Sequence, residues 1–289
     1  MRQSENQFED KVVILGVGLI GGSIAAAIRQ RYPDCQVVGI GRSEARLQAA
    51  MAAGLLTDWA TEFTAELLGQ RAIVVVCLPV HLIAEQVCTL AELCGDRVLI
   101  TDAGSVKAEI CSGIGQSEKA SRRFVGSHPI AGGEQGGFEY ADADLFEGKV
   151  CVVCDPPEKH EILAANVKRV SQFWRLLGCE ITRMSAEEHD RVLALTSHLP
   201  HVIAAATTAA VGEENLRLTG SGFRDTTRIA AGSSSLWKAI LAGNRRNVIA
   251  AIHRAEEALQ EYRTALDQQD DDLVESLLER AAKCRSRLD

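Results

Sequence analysis

The chain has 289 residues, of which 46% are hydrophobic and 24% charged, so it carries enough apolar material for two domains. A net charge of −8 with no lysine-arginine stripe argues against nucleic acid as a partner. No uniformly apolar run of about 18 residues predicts a membrane span, and Met1 to Asp10 is polar and acidic rather than signal-like, so a cytoplasmic location is expected.

Lys11 to Leu15 is a short β-branched run ending in glycines, the pattern of a buried parallel strand. Gly16-Val17-Gly18-Leu19-Ile20-Gly21-Gly22 follows and opens a helix predicted over Gly22 to Gln30. After a strand and before a helix, these glycines read as a dinucleotide-binding turn. Gly16 permits the tight turn, Gly18 lets the backbone approach a pyrophosphate, and Gly21 lets the helix lie close on the strand. Leu19 and Ile20 sit between them in the same cofactor site, where the helix N-terminus offers free N–H groups to phosphate.

A second strand, Gln36 to Ile40, ends in Gly41-Arg42-Ser43 with no acid at its tip. A carboxylate there would accept from the ribose 2′-OH of NAD and repel a 2′-phosphate. Arg42 would attract that phosphate and Ser43 could hydrogen-bond it, which favours NADP. NAD stays the alternative, because Glu44 follows and Arg42 could instead stack on adenine or face solvent.

A helix over Glu44 to Ala53 stops at Gly54. A strand over Ala72 to Leu78 ends at Pro79, which sets Leu78 and Pro79 at the carboxyl edge of the sheet, against the cofactor. After a helix over His81 to Cys94, the strand Val98 to Thr101 runs into Asp102-Ala103-Gly104-Ser105-Val106-Lys107. Asp102 is assigned to the cofactor site. Ser105 either caps the helix that begins at Val106 or reaches the nicotinamide or substrate.

Gly126-Ser127-His128-Pro129-Ile130-Ala131-Gly132 reads as a rigid, open loop that presents an imidazole. A loop histidine bonded to backbone is the plainer alternative. Phe124 to Gly126, Lys149 to Cys154 and Glu180 to Arg183 complete the sheet, with a helix over Ile162 to Leu177. Cys151 and Cys154 face opposite sides of their strand and no second pair has zinc spacing, so no metal is expected. Nine cysteines at irregular spacing suit free thiols in a reducing compartment. Strand and helix alternate throughout, which predicts an α/β, doubly wound, mostly parallel Rossmann-type sheet over residues 1–184.

From Ala186 onward the periodicity is helical, which predicts an all-helical domain over residues 185–289. On a helix Ser197 and His201 share a face, and His198 and His201 lie three apart. Pro200 frees a backbone carbonyl and kinks that helix. The glycine-, serine- and threonine-rich stretch Thr219 to Ser235 is either a functional loop or a linker. Arg224 and Arg228, four apart, could aim two guanidinium forks in one direction; Asp225 could instead pair with Arg228. Small residues Ala250, Ala251, Ala255 and Ala258 beside Ile252 and Leu259 suit close helix packing in a dimer or an intrachain core.

Together the stretches Gly16 to Gly22, Asp102 to Lys107, Gly126 to Gly137, Thr196 to His201 and Gly222 to Ile229 resemble the prephenate/arogenate dehydrogenase family of tyrosine biosynthesis. The resemblance implies oxidation of a 4-hydroxycyclohexadienyl acid with NAD or NADP, release of carbon dioxide, and a helical dimerisation domain making a homodimer. It places the catalytic histidine at His128 and the catalytic-site serine at Ser105. Ser197, His198, His201, Arg224 and Arg228 fall in the substrate site, and Glu134 matches an acidic residue that gates the pocket. The fused mutase or regulatory domains of some relatives are not expected in this chain.

Oxidation removes a hydride from C4 and a proton from the C4 hydroxyl, and decarboxylation aromatises the ring, so the enzyme mainly supplies orientation and one base. A neutral imidazole with an ordinary pKa of about 6.5 suits that base. Prephenate is the preferred substrate and arogenate the alternative, since Glu134 could meet an ammonium. A hydroxyacid-type dehydrogenase would carry a lysine near Ser197, and none is there. A non-catalytic NAD(P)-sensing regulator would need neither the presented His128 nor the paired arginines.

Overall fold

Valine and isoleucine runs build the sheet. The computed structural model describes residues 11–69, 71–133, 135–157 and 161–288. Its first part runs β1 (Lys11–Leu15), α1 (Leu19–Arg31), β2 (Gln36–Ile40), α2 (Glu44–Ala52), β3 (Asp58–Ala60), α3 (Ala65–Leu68), β4 (Arg71–Val76) and α4 (Val80–Leu93). Then come β5 (Arg97–Asp102), α5 (Ala108–Gly115), α6 (Glu118–Ser121), β6 (Phe124–Val125), β7 (Ser127–Pro129), β8 (Val150–Cys154), α7 (Glu161–Leu176) and β9 (Glu180–Met184).

Six strands form one sheet in the order β3-β2-β1-β4-β5-β6, every pair parallel. Alternate residues of each strand feed opposite faces. Val12, Ile14, Val37, Ile73, Val75 and Leu99 pack with Ile24 and Ile28 of α1 and Phe173 and Trp174 of α7. Val13, Leu15, Val38, Val74, Val76 and Ile100 pack with Ile83, Val87 and Leu90 of α4 and Ile110 of α5. Each such side chain contributes roughly 1.5–3 kcal/mol by leaving water.

The expected single sheet is in fact two. β6 holds only two ladder partners on β5 before the chain turns away at Gly126. β7 then pairs antiparallel with β8, and β8 pairs parallel with β9, in a separate three-stranded sheet. A Cβ on Gly126 would lie 3.0 Å from the Cys111 sulfur, so a side chain at the crossing would press on that thiol. The three-residue edge strand β3 carries no apolar run and escapes sequence reading. Thr57 aligns it, its hydroxyl donating to Val37 O at 3.0 Å and accepting from Val37 N–H at 2.9 Å.

The rest of the chain is helical: α8 (Ala186–Leu193), α9 (Leu199–Val211), α10 (Ser221–Thr227), α11 (Ser234–Gly243), α12 (Arg245–Asp267) and α13 (Asp271–Arg285). α8 passes through a π turn at Ala194–His198 directly into α9. Pro200 lacks the N–H that an α register would need there, which accounts for a widened turn rather than a break. Residues 186–211 make one helix apolar enough in length and composition to suit a bilayer, yet only 28% of its most apolar window is buried within the chain. The helical core is small, centred on Ala194, Val248 and Ala251. Leu216, Leu218, Leu236, Ile249, Leu259, Leu266 and Leu278 stay exposed.

Candidate active site

The glycine turn has the shape a dinucleotide needs. Gly16 has φ +97°, and a Cβ there would lie 2.5 Å from Cys77 O. A Cβ on Gly21 would lie 2.2 Å from Gly16 O and 2.9 Å from Ile14. At Gly18 a Cβ would meet nothing within 4 Å, so this residue faces open space. Gly18 begins α1 with no side-chain cap, which leaves the first-turn amides of Leu19 and Ile20 to an anion. Leu78, half-buried, packs against Gly16, and the exposed Pro79 starts α4, although β4 itself ends at Val76.

Arg42 and Ser43 are exposed at the tip of β2. Ser43 caps α2, its hydroxyl accepting from Arg46 N–H at 3.4 Å. A Cβ on Gly41 would touch only the Leu47 side chain, at 3.6 Å, so packing does not forbid an acidic residue there. Arg46 lies over the Phe138 ring at 5.9 Å and pairs with Glu139 at 3.5 Å. The segment following His128 thereby folds back over the start of α1, where Phe138 abuts Gly22 and Gly133 abuts Leu19.

Asp102, expected in the cofactor site, has no side-chain surface open to a ligand. It is fully buried in an ion pair with Lys107, also fully buried. Its carboxylate also accepts from Gly104 N–H at 2.9 Å and from Ser127 N–H at 3.0 Å. Burial alone would lower the Lys107 pKa, but the Asp102 carboxylate outweighs it and the ammonium is held. The Ser127 hydroxyl donates to Asp102 O at 2.6 Å and accepts from Trp174 Nε1–H at 2.8 Å. This buried knot fixes β7 and thereby the residue after Ser127.

That residue, His128, is not on an open loop. It sits half-buried in β7 opposite Val152. Its Nδ1 is 2.8 Å from Nε2 of His189, whose Nδ1 is 2.7 Å from an Asp190 oxygen. His189 and Asp190 are buried. Burial, then the neighbouring His189, Lys107 and His198, push the His128 pKa well below its ordinary value. Burial also lowers His189, against the pull of Asp190.

Ser105, half-buried in the bend before α5, does not cap that helix. The helix starts at Ala108, two residues later than expected, and its cap comes from α8. Asp190 accepts from Lys107 N–H at 2.7 Å and from Ala108 N–H at 2.9 Å. The Ser105 hydroxyl is thus not committed to a helix end.

His198 and His201 are buried, while Ser197 on the same π turn is half-buried. The π turn changes the face-sharing expected of an α-helix. His201 stacks on Trp237, with centroids 3.5 Å apart and planes 15° apart, and His198 meets the same indole edge-on. Burial, eased by Asp190, brings the His198 pKa to about 4. A Cβ on Gly232 would lie 2.9 Å from the Trp237 ring and 3.3 Å from His201. Arg228 opens the short turn Arg228–Ala231 that leads into Gly232, so it stands near this cluster by chain continuity; Arg224 lies one turn earlier on α10. Both arginines are exposed. Glu134 lies outside the described residues.

Sequence reading missed His189, Asp190, Lys107, Ser127, Trp237 and Asn244. Lys107 and Ser127 stood inside quoted motifs without a role assigned to them, and the His-Asp dipeptide at 189–190 carries no spacing signal of its own.

Residues 24–183 match the family model for the prephenate dehydrogenase nucleotide-binding domain, and residues 185–280 match that for the prephenate dehydrogenase dimerization domain. The chain is 32% identical over 275 residues to a prephenate dehydrogenase of Bacillus subtilis, covering 92% of this chain and 72% of that one. It is 33% identical over 284 residues to a cyclohexadienyl dehydrogenase of Zymomonas mobilis, covering 96% and 95%. A crystal structure of prephenate dehydrogenase from Aquifex aeolicus, in complex with hydroxyphenyl propionate and NAD+, superposes with a TM-score of 0.88 at 29% identity, covering 99% and 100%.

Proposed function

The chain belongs to the prephenate dehydrogenase family, and on that premise we propose that it oxidises and decarboxylates prephenate to 4-hydroxyphenylpyruvate with His128 as the base. It is an NAD(P)-dependent oxidoreductase. The observation that carries the role of His128 is its bond to His189, which leaves the other ring nitrogen for a ligand. When bound at Gly16 to Gly21, the dinucleotide supplies the hydride acceptor. His128 Nε2 accepts the C4 hydroxyl proton as the C4 hydride leaves, and loss of the C1 carboxylate as carbon dioxide aromatises the ring. Ser105 holds the hydroxyl. Ser197, His198 and His201 seat the ring, and Arg228 with Arg224 meets the carboxylates at the open side. His128→Asn is expected to lower kcat by at least about 100-fold with KM little changed; turnover near that of the unaltered enzyme would remove His128 as the base.

The cofactor reading is NADP. Arg42, Ser43 and the absence of an acid at Gly41, a position with room for one, support it. Arg42→Ala should weaken NADP at least about tenfold, near 1.4 kcal/mol, and leave NAD unaffected. Gly41→Asp should invert the preference. Equal use of both cofactors by the unaltered enzyme would sink this reading. Arogenate remains the second substrate, favoured by the cyclohexadienyl specificity named for the Zymomonas relative. Crossing both substrates with both cofactors and following absorbance separates the four pairings.

We take residues 1–184 as the nucleotide-binding unit and 185–289 as the helical unit, supported by the change at Met184 from strand to helix. The apolar faces of α12 and α13 fit a second copy of the chain, making a homodimer. Nine free thiols suit the reducing cytoplasm.

A further inference from the structure

We propose that His189, Asp190 and Asn244 form a buried frame that sets two active-site imidazoles in opposite neutral tautomers, His128 with a bare Nε2 that accepts and His198 with an Nε2–H that donates. Backbone N–H groups donate, carbonyl and carboxylate oxygens accept, and a neutral imidazole has one nitrogen of each kind.

The first half starts at α5. Lys107 and Ala108 aim backbone N–H groups at the Asp190 carboxylate, so that carboxylate is an acceptor fixed at a helix N-terminus. His189 Nδ1, 2.7 Å from the same carboxylate, must therefore carry the proton. Neutral His189 then has a bare Nε2. His128 Nδ1, 2.8 Å away, must be the donor into it. The one remaining nitrogen of His128, Nε2, is left with its lone pair.

The second half starts at the main chain of Asp190. Asn244, 4% exposed, has its side-chain nitrogen 2.7 Å from Asp190 O. A carbonyl accepts only, so the amide NH2 and not its oxygen faces that atom. With that orientation the oxygen on the opposite side accepts from Asn247 Nδ2 at 2.8 Å. The NH2 also lies 3.2 Å from His198 Nδ1, which must accept, so neutral His198 holds its proton on Nε2.

One residue, Asp190, thus governs both rings, His128 through its carboxylate and His198 through its carbonyl. The substrate chemistry asks for that polarity. A hydroxyl that must lose its proton needs an acceptor, whereas a carboxylate or a developing carbonyl oxygen needs a donor. His189, Asp190 and Asn244 touch the reacting groups only through these imidazoles and are positioning residues. The inference rests on the reading of His128 as the base.

The test is 15N NMR of histidine-labelled full-length enzyme at pH 8, with the His128 and His198 signals assigned by their loss in His128→Asn and His198→Asn. The expected pattern is a protonated Nδ1 on His128 and a protonated Nε2 on His198. The same tautomer on both rings, or the reverse assignment, overturns the frame. Turnover of His189 variants gives a second readout. His189→Gln keeps an acceptor for His128 and should hold kcat within about tenfold, whereas His189→Leu should lose about 100-fold in kcat with KM changed less than about threefold. Equal kcat for the Gln and Leu variants also overturns the frame. Full turnover by His128→Asn would instead fault the base assignment, and the tautomers read by NMR would stand independently.

Discussion

Asp190 caps a helix that is not its own: its carboxylate accepts from the backbone N–H groups of Lys107 and Ala108 at the start of α5, more than 80 residues earlier in the chain. The contact ties the strand-rich part of the molecule to its helical part at the point where His128 and His189 meet. Asp190→Ala removes a cap, which costs roughly 1–2 kcal/mol, and strands the buried His189 N–H, roughly 1–3 kcal/mol more. Chemical denaturation should therefore report a loss of about 2–5 kcal/mol. A loss below about 1 kcal/mol would mean that water or another group replaces the carboxylate.

The three glycines of the cofactor turn should separate in their effects. Gly21→Ala sets a Cβ against Gly16 O and Ile14 and should cost about 1–3 kcal/mol of stability. Gly18→Ala meets no protein atom and keeps an extended backbone, φ −103°. Its melting temperature should stay close to that of the unaltered protein while nucleotide affinity falls. A Gly18→Ala protein that binds nucleotide normally would place the pyrophosphate elsewhere.

The buried Asp102–Lys107 pair should be costly to halve. Asp102→Asn leaves an ammonium without its counter-charge in the core and should lose about 3–5 kcal/mol. Adding Lys107→Met removes that stranded charge, while Asn at 102 can still accept from Ser127. The double variant should recover at least half of the loss. If it is no more stable than the single variant, the charge is not what makes the site sensitive.

The imidazoles predict the direction of the pH response. The folded-state pKa of His198 is about 4, set by burial against the pull of Asp190, and that of His128 is also depressed; both sit below an unfolded value of about 6.5. The unfolded chain therefore takes protons first. Stability is full above pH 6.5 and falls as pH drops from there toward the folded values. Unfolding free energy measured at pH 7.5 and 5.5 should decrease, and His198→Asn should decrease less. Equal slopes would show that His198 is not held neutral by the fold. The acid limb of kcat should likewise begin below pH 6.5.

Much of the fold was legible because it is periodic. The apolar runs Lys11–Leu15 and Gln36–Ile40 and the glycine spacing at 16, 18 and 21 are local, and the structure places each where that reading put it; the run read over Ala72 to Leu78 is a strand at Arg71–Val76, two residues shorter at its end. The second sheet was not legible. Nothing near Ser127 announces that it leaves β6 to pair with Val153, because strand partners are chosen across the chain rather than within it. His128 was found by its motif but misplaced on a loop, and of the two roles open to Ser105 the cap is supplied instead by Asp190, from 82 and 83 residues away.

The sequence alone determined the alternating α/β order, the phosphate-binding turn, the helical remainder and the candidate imidazole, since each follows from residue types a few positions apart. Tertiary structure alone decided that Asp102 is buried against Lys107 and β7, that the π turn buries His198, and that His128 answers to His189 and Asp190. Those outcomes depend on which buried donors meet which acceptors. That pairing is fixed only when distant segments pack and water can no longer satisfy them.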